Sequence, residues 1–130
     1  MNEYMLLIRN RKNRDADWTD DKEREFLRAC EQHIAALERT NNLVAAQPLV
    51  RDGVIIAGDG EHWSQTPLQD AAEIQVGYYH LRAASLDEAI AIAKRNPEFQ
   101  YTTTARIEVR PLKTNEPETG FDYPTGARQR

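Results

Sequence analysis

Cysteine, histidine and long apolar runs are all scarce in this chain of 130 residues. With one cysteine, Cys30, no disulfide can close within the chain, and a reducing, cytoplasmic compartment fits best. Three histidines and no paired cysteines leave little from which to assemble three or four convergent ligands, so no metal and no other cofactor is expected. No apolar stretch approaches the ~20 residues that would span a bilayer, which argues against a membrane protein. The start, Met1-Asn2-Glu3, has neither the basic opening nor the apolar stretch of a signal peptide. There is no basic excess either. Seventeen basic side chains stand against 21 acidic ones, a net charge of −4, which disfavours nucleic acid as a partner. Glycine-rich phosphate loops and Gly-x-Ser-x-Gly elbows do not occur, so nothing marks nucleotide chemistry or serine hydrolysis.

What is present reads as one soluble α+β domain, of a length that buries about two thirds of its unfolded surface. Tyr4-Met5-Leu6-Leu7-Ile8 is an apolar run of strand length and reads as a central strand covered on both faces. A helix follows from Thr19 or Asp20, with Phe26, Leu27, Cys30, Ile34 and Leu37 in one stripe and Asn41 as a left-handed terminal residue. Leu43 to Ala46 reads as a strand. Asp52-Gly53 between Leu49-Val50 and Val54-Ile55-Ile56 reads as a hairpin with a type I′ turn. Residues 58–70 read as a loop.

Ile74 to Leu81 is the next strand, with Val76, Tyr78 and His80 expected on one face and Gly77, Tyr79 and Leu81 on the other. Ser85-Leu86-Asp87-Glu88 opens a second helix as a capping box, and Asn96-Pro97 stops it. Ala105, Ile107 and Val109 alternate with polar residues in a last strand. Residues 1–112 form the domain. Residues 113–130 lose the pattern and read as a tail that is flexible or docked on a partner through Phe121 and Tyr123. The order β-α-β-β-β-α-β gives one sheet with two helices on one face.

Four segments then stand in a telling order: Arg51-Asp52-Gly53 with Asp59-Gly60, Gly77-Tyr78-Tyr79, Leu86-Asp87-Glu88-Ala89, and Glu108-Val109-Arg110-Pro111. Together they resemble the YCII-related proteins, and more closely their DGPF subgroup, from about Tyr4 to Leu112. The resemblance implies a ferredoxin-like core, β-α-β-β-(β)-α-β with an antiparallel sheet, that dimerises sheet to sheet as a dimeric α/β barrel. A homodimer through the open sheet face also follows from helices covering only one side. Two departures are visible. Glu61-His62 stand where the family signature continues as Pro-Phe, and the helix histidine proposed for proton transfer in YCII proteins falls at Cys30 by ungapped counting. His33 lies one turn further along.

The candidate chemical groups each have a plain structural reading beside the functional one. His33 is either a boundary residue or a general acid/base, since imidazole titrates near neutral pH. Cys30 reads as buried and structural. Asp59, Glu61 and His62 form either a solvated turn or a cluster that shuttles a proton or holds a ligand. Tyr78 and His80 are sheet-packing residues, or a phenol that orients a ligand beside an imidazole. Arg106 and Arg110 read as a solvated face or interface ion pairs. Under the functional reading His33, His80 and Asp59 are catalytic, and Tyr78, Glu61 and His62 bind the ligand. The chain is then a small-molecule-binding protein or a cofactor-independent acid/base enzyme, for elimination or isomerisation. The alternative is a non-catalytic ligand-sensing or protein-interaction module.

Overall fold

The computed structural model describes residues 1–68 and 72–124. The last residues of the expected loop, 69–70, and of the expected tail, 125–130, lie outside the described residues.

β1, Asn2–Arg11, alternates strictly: Tyr4, Leu6, Ile8 and Asn10 are buried, while Glu3, Met5, Leu7 and Arg9 are half-buried on the other side. α1, Asp20–Arg39, begins one residue earlier than an Asp20 cap would place it. Thr19 is the N-cap, its hydroxyl accepting from the Lys22 amide at 3.2 Å. Asn41 takes the expected left-handed conformation, φ 60°, and turns the chain into β2, Leu43–Pro48.

The next segment corrects two expectations. Asp52-Gly53 is no hairpin turn, because Leu49 donates to the Val76 carbonyl and prolongs the β2 pairing instead of folding back on residues 54–56. The hairpin lies one segment later. β3, Val54–Gly58, pairs with β4, Trp63–Pro67, inside the stretch expected to be loop. Its turn is built by Asp59, whose carboxylate accepts from the Glu61 and His62 amides at 3.0 and 2.9 Å, with Gly60 at φ +97°.

β5, Glu73–Ala83, carries a bulge. Ile8 pairs with Gly77 but Arg9 pairs with Gln75, so Val76 is the extra residue. The bulge resets the alternation. Val76 therefore joins Ile74, Tyr79 and Leu81 on the helix-covered side, not Tyr78 and His80 as strict period two demanded. α2, Leu86–Lys94, starts at the Ser85 cap, with the Glu88 amide donating to its hydroxyl at 3.2 Å. Asn96-Pro97 does end α2, and it also starts a short helix that the sequence reading missed. In α3, Pro97–Tyr101, Asn96 is the N-cap and Pro97 opens the helix. β6, Arg106–Pro111, completes the main sheet. β7, Asn115–Glu116, and β8, Phe121–Asp122, form a small hairpin, with Tyr123 donating from its backbone to Thr114.

The main sheet is antiparallel throughout in the order β2-β5-β1-β6, which is the ferredoxin-like arrangement. α1 and α2 cover one face: Leu37 and Ile34 from α1, with Ile92 and Ala93 from α2, pack on Leu6, Ile8, Tyr79 and Leu81. Among the described residues nothing covers the other face. It presents Met5, Leu7 and Tyr78 at its centre, with Glu3, His80, Arg9 and Glu108 around them.

A candidate ligand cleft between α1 and the sheet

Beneath α1 lies a cleft of about 240 Å³. Phe26, Leu27, Cys30 and Ile34 line it from α1, because residues three, four and seven apart share one helix face. Ile8 and the bulged Val76 rise from the sheet to meet them. Gly77 forms part of the floor without a side chain. A Cβ there would stand 2.9 Å from the Gln47 carbonyl oxygen, so the bulge and β2 approach closely only because the position is glycine.

One end of the cleft is polar. Arg14, from the loop after β1, reaches Glu98 of α3 with its Nε at 3.0 and 2.8 Å and its Nη2 at 2.7 Å. The pair is nearly shut off from solvent, the side chains being 10% and 5% exposed. Glu98 also accepts from Asn10 Nδ2 at 2.7 Å, and Asn10 in turn accepts from Thr104 and donates to Thr102. The Arg14 guanidinium lies over the Phe26 ring, 5.5 Å from its centre. The same arginine also lines a wetter groove of about 520 Å³ outside the cleft, with Arg11, Lys22 and Thr102 among its neighbours.

Of the titratable groups that line the cleft, Cys30 and Tyr79 are held neutral. Burial pushes the Cys30 thiol up to about 11, with the Glu98 charge adding to it. Burial likewise drives the Tyr79 phenol well above its usual range. A thiol in that state is no nucleophile near neutral pH. Asn96 completes this end. Its Oδ1 accepts from the Glu98 amide at 2.9 Å, while its buried Nδ2 lies by the Tyr79 phenol and makes no well-formed hydrogen bond among the described residues.

The residues singled out from the sequence fall in three other places. His33, on α1, stacks obliquely on Tyr79 with ring centres 5.6 Å apart. Its Nε2 is buried and unpartnered, and burial, then the charge of Arg95, lowers its pKa below the usual histidine value. Among the described residues no carboxylate is hydrogen-bonded to it. His80 lies on the uncovered sheet face, its Nε2 2.7 Å from Glu3 Oε1, with both side chains only 13–14% exposed. Tyr78 lies two residues away on the same face. Asp59, Glu61 and His62 sit at the exposed tip of the β3–β4 hairpin. His62 Nδ1 is 3.7 Å from Asp59 Oδ2, and hydrogen bonds from the His62 and Glu61 amides lower the Asp59 pKa. No group of three or more metal-ligating side chains converges among the described residues.

Arg14, Asn96 and Glu98 were not anticipated from the sequence. Asn10 left a signal there: it continues the inward series Tyr4, Leu6, Ile8, where a polar residue must find buried partners.

Comparison with curated proteins finds no match. No helix among the described residues is long and apolar enough to cross a membrane. The YCII-related domain model matches residues 3–113, nearly the whole of the domain that carries the sheet, the helices and the cleft. The chain belongs to the YCII-related domain family.

Proposed function

We propose that this protein binds a small molecule in the cleft between α1 and the sheet. The observation that carries this reading is the pairing of an apolar lining with a buried polar end in one cavity, the usual make-up of a ligand site. At about 240 Å³ the cavity suits a compact ligand. The chemistry available inside it is hydrogen bonding, since the thiol and the phenol stay protonated and Arg14 is neutralised by Glu98. That supports binding or sensing, not turnover, within the cleft. Ala46, which lines the cleft from β2, provides the test. Ala46→Leu fills the cavity and should abolish binding of small aromatic probes, seen as lost amide shifts in NMR titration, with the fold kept. Unchanged binding by this variant would overturn the reading.

A second reading keeps acid/base catalysis, favoured by the 2.7 Å contact between His80 and Glu3 beside Tyr78. Carboxylate–imidazole pairs of this kind hold a histidine in one orientation for proton transfer. The site would be completed by a second copy of the chain on the uncovered sheet face. His33, Asp59, Glu61 and His62 have weaker support, having no oriented partner or lying at an exposed turn. His80→Gln should abolish any isomerase or lyase turnover in that reading, with cleft binding untouched.

The homodimer belongs to the same proposal. Met5, Leu7 and Tyr78 form an apolar centre on the uncovered face, ringed by the Glu3–His80 hydrogen bond and the Arg9–Glu73–Arg106 ion pairs. The β3–β4 hairpin adds exposed Val54, Ile56 and Trp63. Leu7→Lys should convert a sedimenting dimer into a folded monomer, and a wild type that is monomeric at high concentration would remove the idea. A cytoplasmic location accords with the single unpaired cysteine.

A further inference from the structure

The groove outside the cleft holds about 520 Å³, within the range of small-molecule sites, and its lining groups differ in what already engages them. Thr102 and Thr104 spend their hydroxyls inward, Thr102 donating to the Glu98 carbonyl at 2.9 Å and Thr104 to Asn10 Oδ1 at 2.6 Å. Arg14 is answered by Glu98. These groups build a fixed wall.

Arg11 and Lys22 stand apart from them. Both line the groove, and among the described residues neither is ion-paired. Lys22 is held by a ring instead of a carboxylate, its Nζ lying 4.8 Å from the centre of Trp18. That contact positions the ammonium and leaves its charge intact. Asp17 is the one carboxylate in the lining, and it makes no ion pair with either cation. Two unneutralised positive charges against one negative leave the groove positive, in a chain whose net charge is −4. A recess of one sign between low-dielectric walls concentrates ions of the other sign. Two more unengaged groups border it. Thr103 carries a hydroxyl with no hydrogen bond among the described residues, and Phe99 is 40% exposed, outside the Trp18–Phe26–Tyr101 ring cluster.

We propose that this groove is a second binding site, for a small aromatic acid. Its carboxylate or phosphate group is taken by Arg11 and Lys22, with the Thr103 hydroxyl donating to it, and its ring packs on Phe99. One net positive charge suits a single anionic group, not a polyanion such as nucleic acid. The site shares only Arg14 with the cleft, and it stands whether or not the cleft binds a ligand.

Benzoate, phenyl phosphate, acetate and benzyl alcohol, titrated at low salt and followed by NMR at the Gln100 and Thr103 amides, test it. Benzoate should bind wild type about tenfold more tightly than benzyl alcohol, as two partly exposed charge contacts of about threefold each imply. Arg11→Gln and Lys22→Gln should each weaken benzoate about threefold, and Asp17→Asn should strengthen it by about as much, a gain that no folding defect can imitate. Phe99→Ala should bring benzoate down to the level of acetate. Phenyl phosphate should follow benzoate through the series, and the tighter of the two names the anionic group. Ala46→Leu, which fills the cleft, should change none of this. Benzyl alcohol binding as tightly as benzoate, benzoate unmoved by both glutamine variants and by Asp17→Asn, or no shift at these amides with either anion would each overturn the proposal. Anion binding lost in Ala46→Leu would place the acid in the cleft and overturn it too.

Discussion

Arg51 grips Asp15 with both ends of its guanidinium, Nη1 to Oδ1 at 2.8 Å and Nη2 to Oδ2 at 2.9 Å. Nη1 also donates to the Lys12 carbonyl at 2.8 Å. One side chain thus fastens the base of the β3–β4 hairpin to the loop that delivers Arg14 to the cleft. The two-pronged geometry is what lifts such a pair above the usual small value of an exposed ion pair. Arg51→Ala should cost about 1 kcal/mol in urea unfolding at pH 7, and Arg51→Lys, with a single point charge, should recover little of it. Bonding to Arg51 lowers the Asp15 pKa below 3.8, so this stabilisation is present above pH 3.8 and disappears as pH falls through the lower folded value. The difference between wild type and Arg51→Ala should therefore shrink in acid.

Glu98 should be the most sensitive charged position. Glu98→Gln leaves Arg14 buried without a counter-charge and should cost about 3–5 kcal/mol. Replacing both partners with apolar residues, Arg14→Met with Glu98→Leu, should regain most of that loss. Urea midpoints for the two singles and the double give the coupling. A double variant as unstable as the sum of the singles would contradict the ion-pair account.

His33 is held neutral by burial, so its folded pKa lies below 6.5. Below pH 6.5 the unfolded chain binds the extra proton, and stability is lost as pH falls towards the folded value. His33→Leu should flatten the stability profile between pH 7 and 5. It should also leave probe binding in the cleft unchanged, because His33 lies outside the lining. Lost binding in this variant would give the histidine a role in the site after all.

Cys30 should be slow to react. Raising the thiol from 9.0 to about 11 cuts the thiolate fraction at pH 8 about a hundredfold, and iodoacetamide labelling should slow accordingly. Labelling at the rate of a free thiol would show that the cleft is open to water on a time scale the static cavity does not convey.

Gly77 and Gly60 are required for different reasons. At Gly77 a methyl group meets the Gln47 backbone at 2.9 Å, and Gly77→Ala should cost about 1–3 kcal/mol by forcing β2 from β5. At Gly60 there is open space but φ is +97°, so Gly60→Ala should cost about 1 kcal/mol and leave the cleft intact. Equilibrium unfolding with probe titration separates the two effects.

Much of this architecture was legible in the residues. The Ser85 cap and the left-handed Asn41 are local signals, and the structure honours both, whereas the apolar run of β1 hid the alternation that its burial shows. The family set from Asp59-Gly60 to Pro111 led to the ferredoxin-like antiparallel sheet. The misreadings concern pairing. Asp52-Gly53 is a good turn dipeptide, but Leu49 is held by Val76, and only the fold brings those strands together. The face assigned to Val76 failed because a bulge is set by register with Arg9, not by the strand's own composition. The cleft was harder still. Arg14 and Glu98 meet although they are 84 positions apart, and neither lies in a motif. Asn96 announced a helix boundary, which it is, but the place of its amide beside Tyr79 becomes visible only once α3 has folded on its oxygen.

Arg14 belongs to two compartments at once, walling the dry cavity on one side and the wet groove on the other. Its charge is a partition. The Arg14–Glu98 pair is only 10% and 5% exposed, so dissolved salt screens it little, and the wall between the two compartments should hold from low to high ionic strength.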